Sequence, residues 1–462
     1  MKINKSSLPL SRAPIKSALF LTLSCILWFK ANLIAQSLPS GGFRASVVKI
    51  NITPDKPKQL LGYGARISTG VHDSIYHRIV ALDDGRTQFF LVSTEICLMS
   101  PSQYDHVAEM LQSKLGIQPV NFWWSVTHTH SAPEVGVPGL AEVFLGDRYK
   151  HPVDTDYTAF VEKTLFDGIV EARRRLEPAR LGIGWGYSQA NINRRAVDVE
   201  GKASLGLNPD GPVDRRLGLI RLEKKDGSPM ALIINYPIHG TVLGGQSLEI
   251  SGDVTGVVSD YVEKKTGVPA LFINGAAGNI APIYSVYPNP RAGHLSQFRV
   301  LLGDKILDAN SRIGSTMDTI KLFTGALTVE SPRKAGLGWP SYLGSYARTE
   351  KNGTHLVKLP VRFLKMNEDI AIWSAPLELF CEISNEVRDR SPFPFTFYYG
   401  YTNGWLGYLP SEKEWKYGGY EVETVSPFAP VISRTLTESV TAYLQGELRG
   451  AGSGSSVPNK KP

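Results

Sequence analysis

The sequence predicts an α/β fold of mixed β-sheets flanked by helices, and three observations carry that expectation. Short apolar runs of strand length recur along the 462-residue chain, and helical patterns with one apolar face lie between them. Asp-Gly turns join two pairs of these runs. With 42% hydrophobic and 20% charged residues, the chain can build a large core and is not disordered.

The elements follow in chain order. Residues 1–37 read as an export leader. Lys2, Lys5, Arg12 and Lys16 precede an apolar run over 18–29, Lys30 closes it, and small residues stand at Ala35 and Ser37. A run of about a dozen apolar residues is short for a bilayer span, so a cleaved leader is favoured over an uncleaved anchor. The expected destination is the periplasm or the medium. Without those five cations, which no acid accompanies, the formal charge of +7 drops to +2. No basic run interleaved with aromatics occurs, so nucleic acid is not an expected partner.

Beyond the leader, residues 38–448 are expected to form a single large domain. Strand-like runs are Ala45-Ser46-Val47-Val48-Lys49-Ile50, Ile79-Val80-Ala81-Leu82, Phe89-Phe90-Leu91-Val92 and Val120-Asn121-Phe122-Trp123-Trp124. Further runs are Leu217-Gly218-Leu219-Ile220-Arg221-Leu222, Met230-Ala231-Leu232-Ile233-Ile234-Asn235, Ala270-Leu271-Phe272-Ile273 and Ile370-Ala371-Ile372-Trp373. Asp83-Asp84-Gly85 and Lys225-Asp226-Gly227 read as hairpin turns. Ser100-Pro101 reads as a helix cap with proline at the first helical position, and Gly116 as the stop. A second helix carries Phe160, Val161, Leu165, Ile169 and Val170, and a third runs over about 254–265. Cys97 and Cys381 both lie in apolar stretches and are expected as buried free thiols. Residues 449–462, rich in Gly, Ser and Lys, are expected to be disordered.

Several apolar strands end in polar clusters. In Thr127-His128-Thr129-His130-Ser131, side chains two apart on an extended chain share one face, so His128 and His130 converge. Two readings stand, metal ligands or a hydrogen-bonded polar pair. His239, in Asn235-Tyr236-Pro237-Ile238-His239-Gly240, is by itself a loop histidine as readily as a ligand. The run Asn274-Gly275-Ala276-Ala277-Gly278-Asn279-Ile280-Ala281-Pro282 is either an ordinary tight loop or a loop whose amides hold an anion. Glu95 is read as a partner that orients a ligand histidine, or as a cap or loop residue.

Other clusters complete an ordered series. It starts with Gly70-Val71-His72-Asp73 and Arg78-Ile79-Val80-Ala81-Leu82 and continues through the His-x-His, Asn191-Ile192-Asn193-Arg194 and Val213-Asp214. After the His239 and Asn274 segments come Pro376-Leu377-Glu378, Gly407-Tyr408, Glu412-Lys413-Glu414 and Tyr420-Glu421. In this order, over about 45–444, the chain resembles the N-terminal catalytic domain of the neutral/alkaline non-lysosomal ceramidase family. The resemblance implies one Zn2+ held by His128, His239, Glu378 and Tyr408. It implies catalytic roles for His130 as acid/base and for Arg194 and Tyr420 as donors to the oxyanion. Read from the residues alone, Arg194 is equally a surface charge and Tyr420 a core residue.

The implied activity is zinc-dependent amide hydrolysis of a small N-acyl, ceramide-like lipid by activated water, with peripheral contact to membrane lipid. The alternatives are a hydrolase of another amide or ester, such as an acylated sugar, and a non-catalytic metal-binding homologue. Three departures from the family pattern matter. Asn279 and Ala281 stand where the family has aspartate and serine, which removes a serine nucleophile there. Arg195-Ala196-Val197-Asp198 replaces the usual Ser-Pro-x-x-Tyr. The family's C-terminal immunoglobulin-like domain is not expected in this chain.

Overall fold

Alternating side chains along the strands sort the interior into separate cores, as a period of two demands. Val80 and Leu82 enter one core, while Ile79 and Ala81 enter another. The computed structural model describes residues 42–146, 151–283, 285 and 294–448. The expected leader and tail lie outside the described residues.

Eight strands form the main sheet: β1 (Arg44–Asn51), β2 (Tyr76–Asp83), β3 (Gln88–Thr94), β4 (Phe122–Val126), β5 (Glu177–Tyr187), β6 (Arg216–Lys224), β7 (Pro229–Tyr236) and β8 (Ala270–Asn274). Their order across the sheet is β8-β7-β6-β5-β1-β2-β3-β4. Both edge pairs, β7 with β8 and β3 with β4, are parallel, and the pairs between them are antiparallel. The sheet curls until its edges approach. Ser93 Oγ in β3 donates to the Phe272 carbonyl in β8 at 2.6 Å. Hairpins close at both Asp-Gly turns, as the sequence predicts.

A second sheet takes β9 (Leu322–Pro332), β10 (His355–Met366), β11 (Ile370–Ser374) and β12 (Phe395–Tyr399) in that order, with the short strand Ala347–Thr349 beside β10. Its Leu364, Ile372 and Phe397 pack with Leu91, Trp123 and Ile233 of the main sheet. Helices cover the outer faces. Helix α1 (Pro101–Leu115) contributes Val107 and Leu111 to one outer core, and the helix Thr155–Arg174 contributes Val161, Leu165 and Ile169. Burying one such side chain contributes about 1.5–3 kcal/mol. The helix Asp253–Thr266 lays Val254, Val258 and Val262 over Leu232, Ile234 and Phe272.

Ser100 caps α1 with Pro101 at its first turn, and Gly116 ends it in the left-handed conformation, as expected. On the second helix Phe160 and Val170 are exposed rather than buried, so its apolar face is narrower than the pattern implies. Cys97 and Cys381 are buried and free. Among the described residues no helix is long and apolar enough to cross a membrane.

Glu95 follows the second of its two readings, a loop residue just past β3. Its carboxylate accepts from the buried Arg78 at 2.6 Å and from the Tyr76 amide at 2.8 Å, and Arg78 also binds Glu263 at 2.7 Å. It ties the end of β3 to the helix over β7 and touches no ligand histidine.

His77 in β2 is wholly buried, with Nδ1 2.8 Å from Thr94 Oγ1 and Nε2 3.1 Å from the Val161 carbonyl. Burial pushes its pKa down from 6.5 to about 4, against the carbonyl's opposing pull. Between those values the unfolded chain binds a proton that the folded chain refuses, so stability falls as the pH drops through that window. The full loss is about 3 kcal/mol at 1.36 kcal/mol per pH unit. Urea titrations at neutral pH and near the bottom of the window should show this loss in the native protein, and a smaller one in His77→Gln.

Candidate metal centre

The site forms where the C-terminal ends of β4 and β7 meet beside β8. His128 lies just past β4 with φ 63°, a left-handed conformation uncommon for a residue with a side chain. The two imidazoles of the His-x-His therefore converge at a turn and not along an extended strand. Their rings lie 4.7 Å apart and perpendicular. His239 follows β7, and a parallel bridge between Thr129 and Gly240 brings it alongside. Gly240 is required there, since a Cβ would lie 2.6 Å from Thr129 Cα.

Asn274, the last residue of β8, clamps both histidine-bearing ends. Its Oδ1 accepts from the Ile238 amide at 3.0 Å, and its Nδ2 donates to the Ile238 and Thr127 carbonyls at 2.7 and 3.3 Å. Glu378 and Tyr408 arrive together because Glu378–Leu379 pairs in parallel with Tyr408–Leu409, Glu378 opposite Tyr408. Two ligand candidates thirty positions apart thus become neighbours through a two-residue ladder.

Hydrogen bonding sets the ring tautomers. A carbonyl only accepts, so His128 Nδ1 donates to the Cys97 carbonyl at 3.0 Å and His239 Nδ1 to the Ile280 carbonyl at 2.9 Å. Both Nε2 atoms then face one carboxylate oxygen, Glu378 Oε2, at 3.2 and 3.1 Å. All three side chains are nearly solvent-free. Together they form a group whose ligand atoms lie within 4.8 Å of one another.

This donor set suits a divalent cation. Two imidazole lone pairs and a carboxylate aimed at one point repel one another unless a positive charge lies between them. His128 shows that demand. Burial disfavours its charge, yet the Glu378 carboxylate prevails and raises its pKa to about 10. His239, at the same oxygen, moves the other way, to about 3, because burial is reinforced by the adjacent Arg194 cation. Glu378 is held well below the usual carboxylate range, the two imidazoles outweighing burial.

The other expected site residues also meet here. Tyr408 Oη lies 3.4 Å from His239 Nε2, and burial keeps its phenol well above its ordinary pKa. Arg194 places Nη1 2.8 Å from His239 Nε2 and donates from Nη2 to Tyr408 Oη at 3.0 Å and from Nε to Glu421 at 3.1 Å. It is 7% exposed, so it is no surface charge. His130 Nε2 stands 3.2 Å from His128 Nε2, and its Nδ1 is buried without a hydrogen-bond partner. Tyr420, 37% exposed, sets its ring 6.0 Å from that of Tyr408 and lines the cavity above it. It is a rim residue and not a core one.

The glycine-containing loop after β8 does not present a row of amides to a ligand. Gly275 N donates to the Tyr236 carbonyl, Gly278 N to that of Leu379, and Ile280 N to that of Ala277. Asn279 receives the Cys381 amide and donates to Glu382, which ties the loop to the helix Cys381–Arg390. Its residue at the site is Ala281, which lines the cavity.

The expected series includes Glu421 but omits Trp405 and Tyr401. Trp405 Nε1 donates to Glu378 Oε1 at 3.0 Å, and Tyr401 stacks on His128 with ring centres 4.4 Å apart. Glu421 is shared by Arg194 and Arg195. The only sequence signal for Trp405 and Tyr401 is their place in a stretch that carries Tyr399, Tyr408, Tyr417 and Tyr420.

The sequence profile of the N-terminal region of neutral/alkaline non-lysosomal ceramidases matches residues 47–281. The chain belongs to this ceramidase family. Among curated ceramidases, neutral ceramidase B of Dictyostelium discoideum is 28% identical over 250 residues, which cover 51% of this chain and 33% of that protein. Neutral ceramidase A of the same organism is 29% identical over 227 residues, 46% of this chain and 30% of that protein. The chain thus spans about a third of the length of the curated relatives it matches. In three dimensions, the crystal structure of the neutral ceramidase from Pseudomonas aeruginosa aligns with a TM-score of 0.70. That alignment has 18% identity and covers 88% of this chain and 74% of that one. A ceramidase complexed with C2 gives 0.71 at 16% identity, over 90% and 77%. The fold of this chain is therefore ceramidase-like, as the sequence predicts.

Proposed function

We propose that this chain is a zinc-dependent amidohydrolase that cleaves the N-acyl bond of ceramide-like lipids by attack of an activated water. The observation that carries the reading is the convergence of His128 Nε2 and His239 Nε2 on a single oxygen of Glu378, at 3.2 and 3.1 Å. It lies beneath a cavity of about 520 Å3 whose lining includes Leu98, Leu145, Leu205 and Trp405. That volume falls within the ~300–1,000 Å3 range of small-molecule sites.

His128, His239 and Glu378 would hold the ion, with Tyr408 as the fourth ligand. When bound, zinc supplies Lewis-acid polarisation of the carbonyl and activation of water. His130, whose Nε2 faces His128 Nε2 at 3.2 Å, would take the proton from that water and return it to the leaving amine. Arg194 and the Tyr420 phenol face the same space and would hold the oxygen that gains negative charge as the carbonyl is attacked. Ala281 fills the position of the family serine, so no hydroxyl nucleophile is available there. The apolar wall would seat the acyl chain. Tyr63 and Leu205, exposed at the mouth at 39% and 60%, would meet a lipid surface. The leader-like residues 1–37 support export to the periplasm or medium.

The test is a substrate panel, with and without chelator, of short- and long-chain N-acylsphingosines beside simple amides and esters. Chelator-sensitive release of fatty acid from an N-acylsphingosine is expected. Turnover of esters alone would replace this reading with that of an esterase.

A further inference from the structure

Trp405 lines the cavity, and its indole also lies beside the carboxylate of Glu378, a contact given no role above. Its side chain is 4% exposed, and its indole N–H donates to Glu378 Oε1 at 3.0 Å. We propose that Trp405 is a positioning residue that holds Glu378 as a one-oxygen ligand, Oε2 toward the two imidazoles. The inference rests on the reading of His128, His239 and Glu378 as a metal centre.

Three observations support it. An indole N–H donates and never accepts, so its bond to Oε1 has one polarity whatever the state of the site. The Tyr401 hydroxyl also approaches Glu378, but at 3.4 Å and on Oε2, the oxygen already facing His128 and His239. It cannot replace the indole on Oε1. The segment that carries Trp405 is also pinned. Asn403 N donates to the Trp124 carbonyl at 2.8 Å, its Oδ1 receives the Trp124 amide at 2.8 Å, and Leu406 N donates to the Pro376 carbonyl at 2.7 Å. Phe144 packs edge-on against the indole with ring centres 5.8 Å apart. The donor is thus fixed by the same strand end that bears His128.

Carboxylates that ligate a metal are themselves held by hydrogen bonds, and losing such a partner typically weakens metal affinity ~10–100-fold. Without the indole N–H, Glu378 can turn about its terminal torsion, and the oxygen offered to the ion is no longer fixed.

The experiment titrates metal-stripped protein with Co2+ and reads affinity from the visible absorption. Four proteins are compared: the native chain, Trp405→Phe, a chain with 3-benzothienylalanine at position 405, and Leu145→Ala. Benzothienylalanine keeps the indole shape and replaces the N–H with sulfur. It decides the matter should Trp405→Phe fail to fold. Both position-405 variants should bind ~10–100-fold more weakly, while Leu145→Ala, which opens the same cavity wall, should bind as the native chain does. Native-like affinity in the benzothienyl protein would overturn the proposal and reduce Trp405 to packing, with the metal centre intact. Failure of the native chain to bind Co2+ would overturn the metal reading itself.

Discussion

His239→Ala is expected to lose the metal and turnover together. The substitution removes one of two imidazoles from a site built of two imidazoles, one carboxylate and a phenol. Nothing nearby replaces it, because His130 is turned toward His128 and Arg194 is a cation. Metal content should fall below about a tenth of an ion per chain, and hydrolysis by at least about 10³-fold, the scale on which losing Lewis-acid activation acts. The Ile280 carbonyl also loses its donor, so about 1–3 kcal/mol of stability should go as well. Metal analysis and initial rates on the same preparation check both. Undiminished turnover would remove His239 from the centre.

Arg194→Lys is expected to keep the metal and lose most of the rate. The guanidinium directs three donors to His239, Tyr408 and Glu421, and an ammonium on a flexible stem cannot hold three fixed directions at once. Removing an oxyanion donor of this kind costs ~10²–10³-fold in kcat. The fold should survive, because Arg195 still donates to Glu421 at 2.7 Å and to Glu414 at 2.7 Å. Full metal content with kcat reduced on this scale and KM little changed is the expected result. Unaltered kcat would place Arg194 among the structural ion pairs.

These two expectations draw on different parts of what the sequence can say. The hairpins at Asp83-Asp84-Gly85 and Lys225-Asp226-Gly227 and the Ser100-Pro101 cap were legible because each is set by local backbone chemistry. Strand β5 was not. Its alternate positions Gly182, Gly184 and Gly186 break the apolar alternation, since a Cβ at Gly182 would meet Ile313 at 2.6 Å and one at Gly186 would meet Ala309 at 2.9 Å. The reason for those glycines is a contact with a segment more than a hundred residues later.

The same holds for the site. His128 and His130 announced themselves by spacing, but the turn that makes them converge depends on the Thr129–Gly240 bridge and could not be read locally. Glu378 and Tyr408 meet through strands of two residues each, too short for any pattern to reveal. Glu378 stands out in the sequence as a carboxylate after the apolar run 370–373, but only the ordered resemblance to ceramidases pairs it with Tyr408 as a ligand. Trp405 supports the ligand Glu378 without being a ligand, and no motif names it.

The central claim is a metal centre made of His128, His239 and Glu378. Metal analysis of the purified full chain tests it most directly, beside the same chain carrying His128→Ala, His239→Ala and Glu378→Ala together. About one zinc per native chain and almost none in the triple variant is the predicted result. No metal in the native chain, or equal zinc in both proteins, would contradict the account.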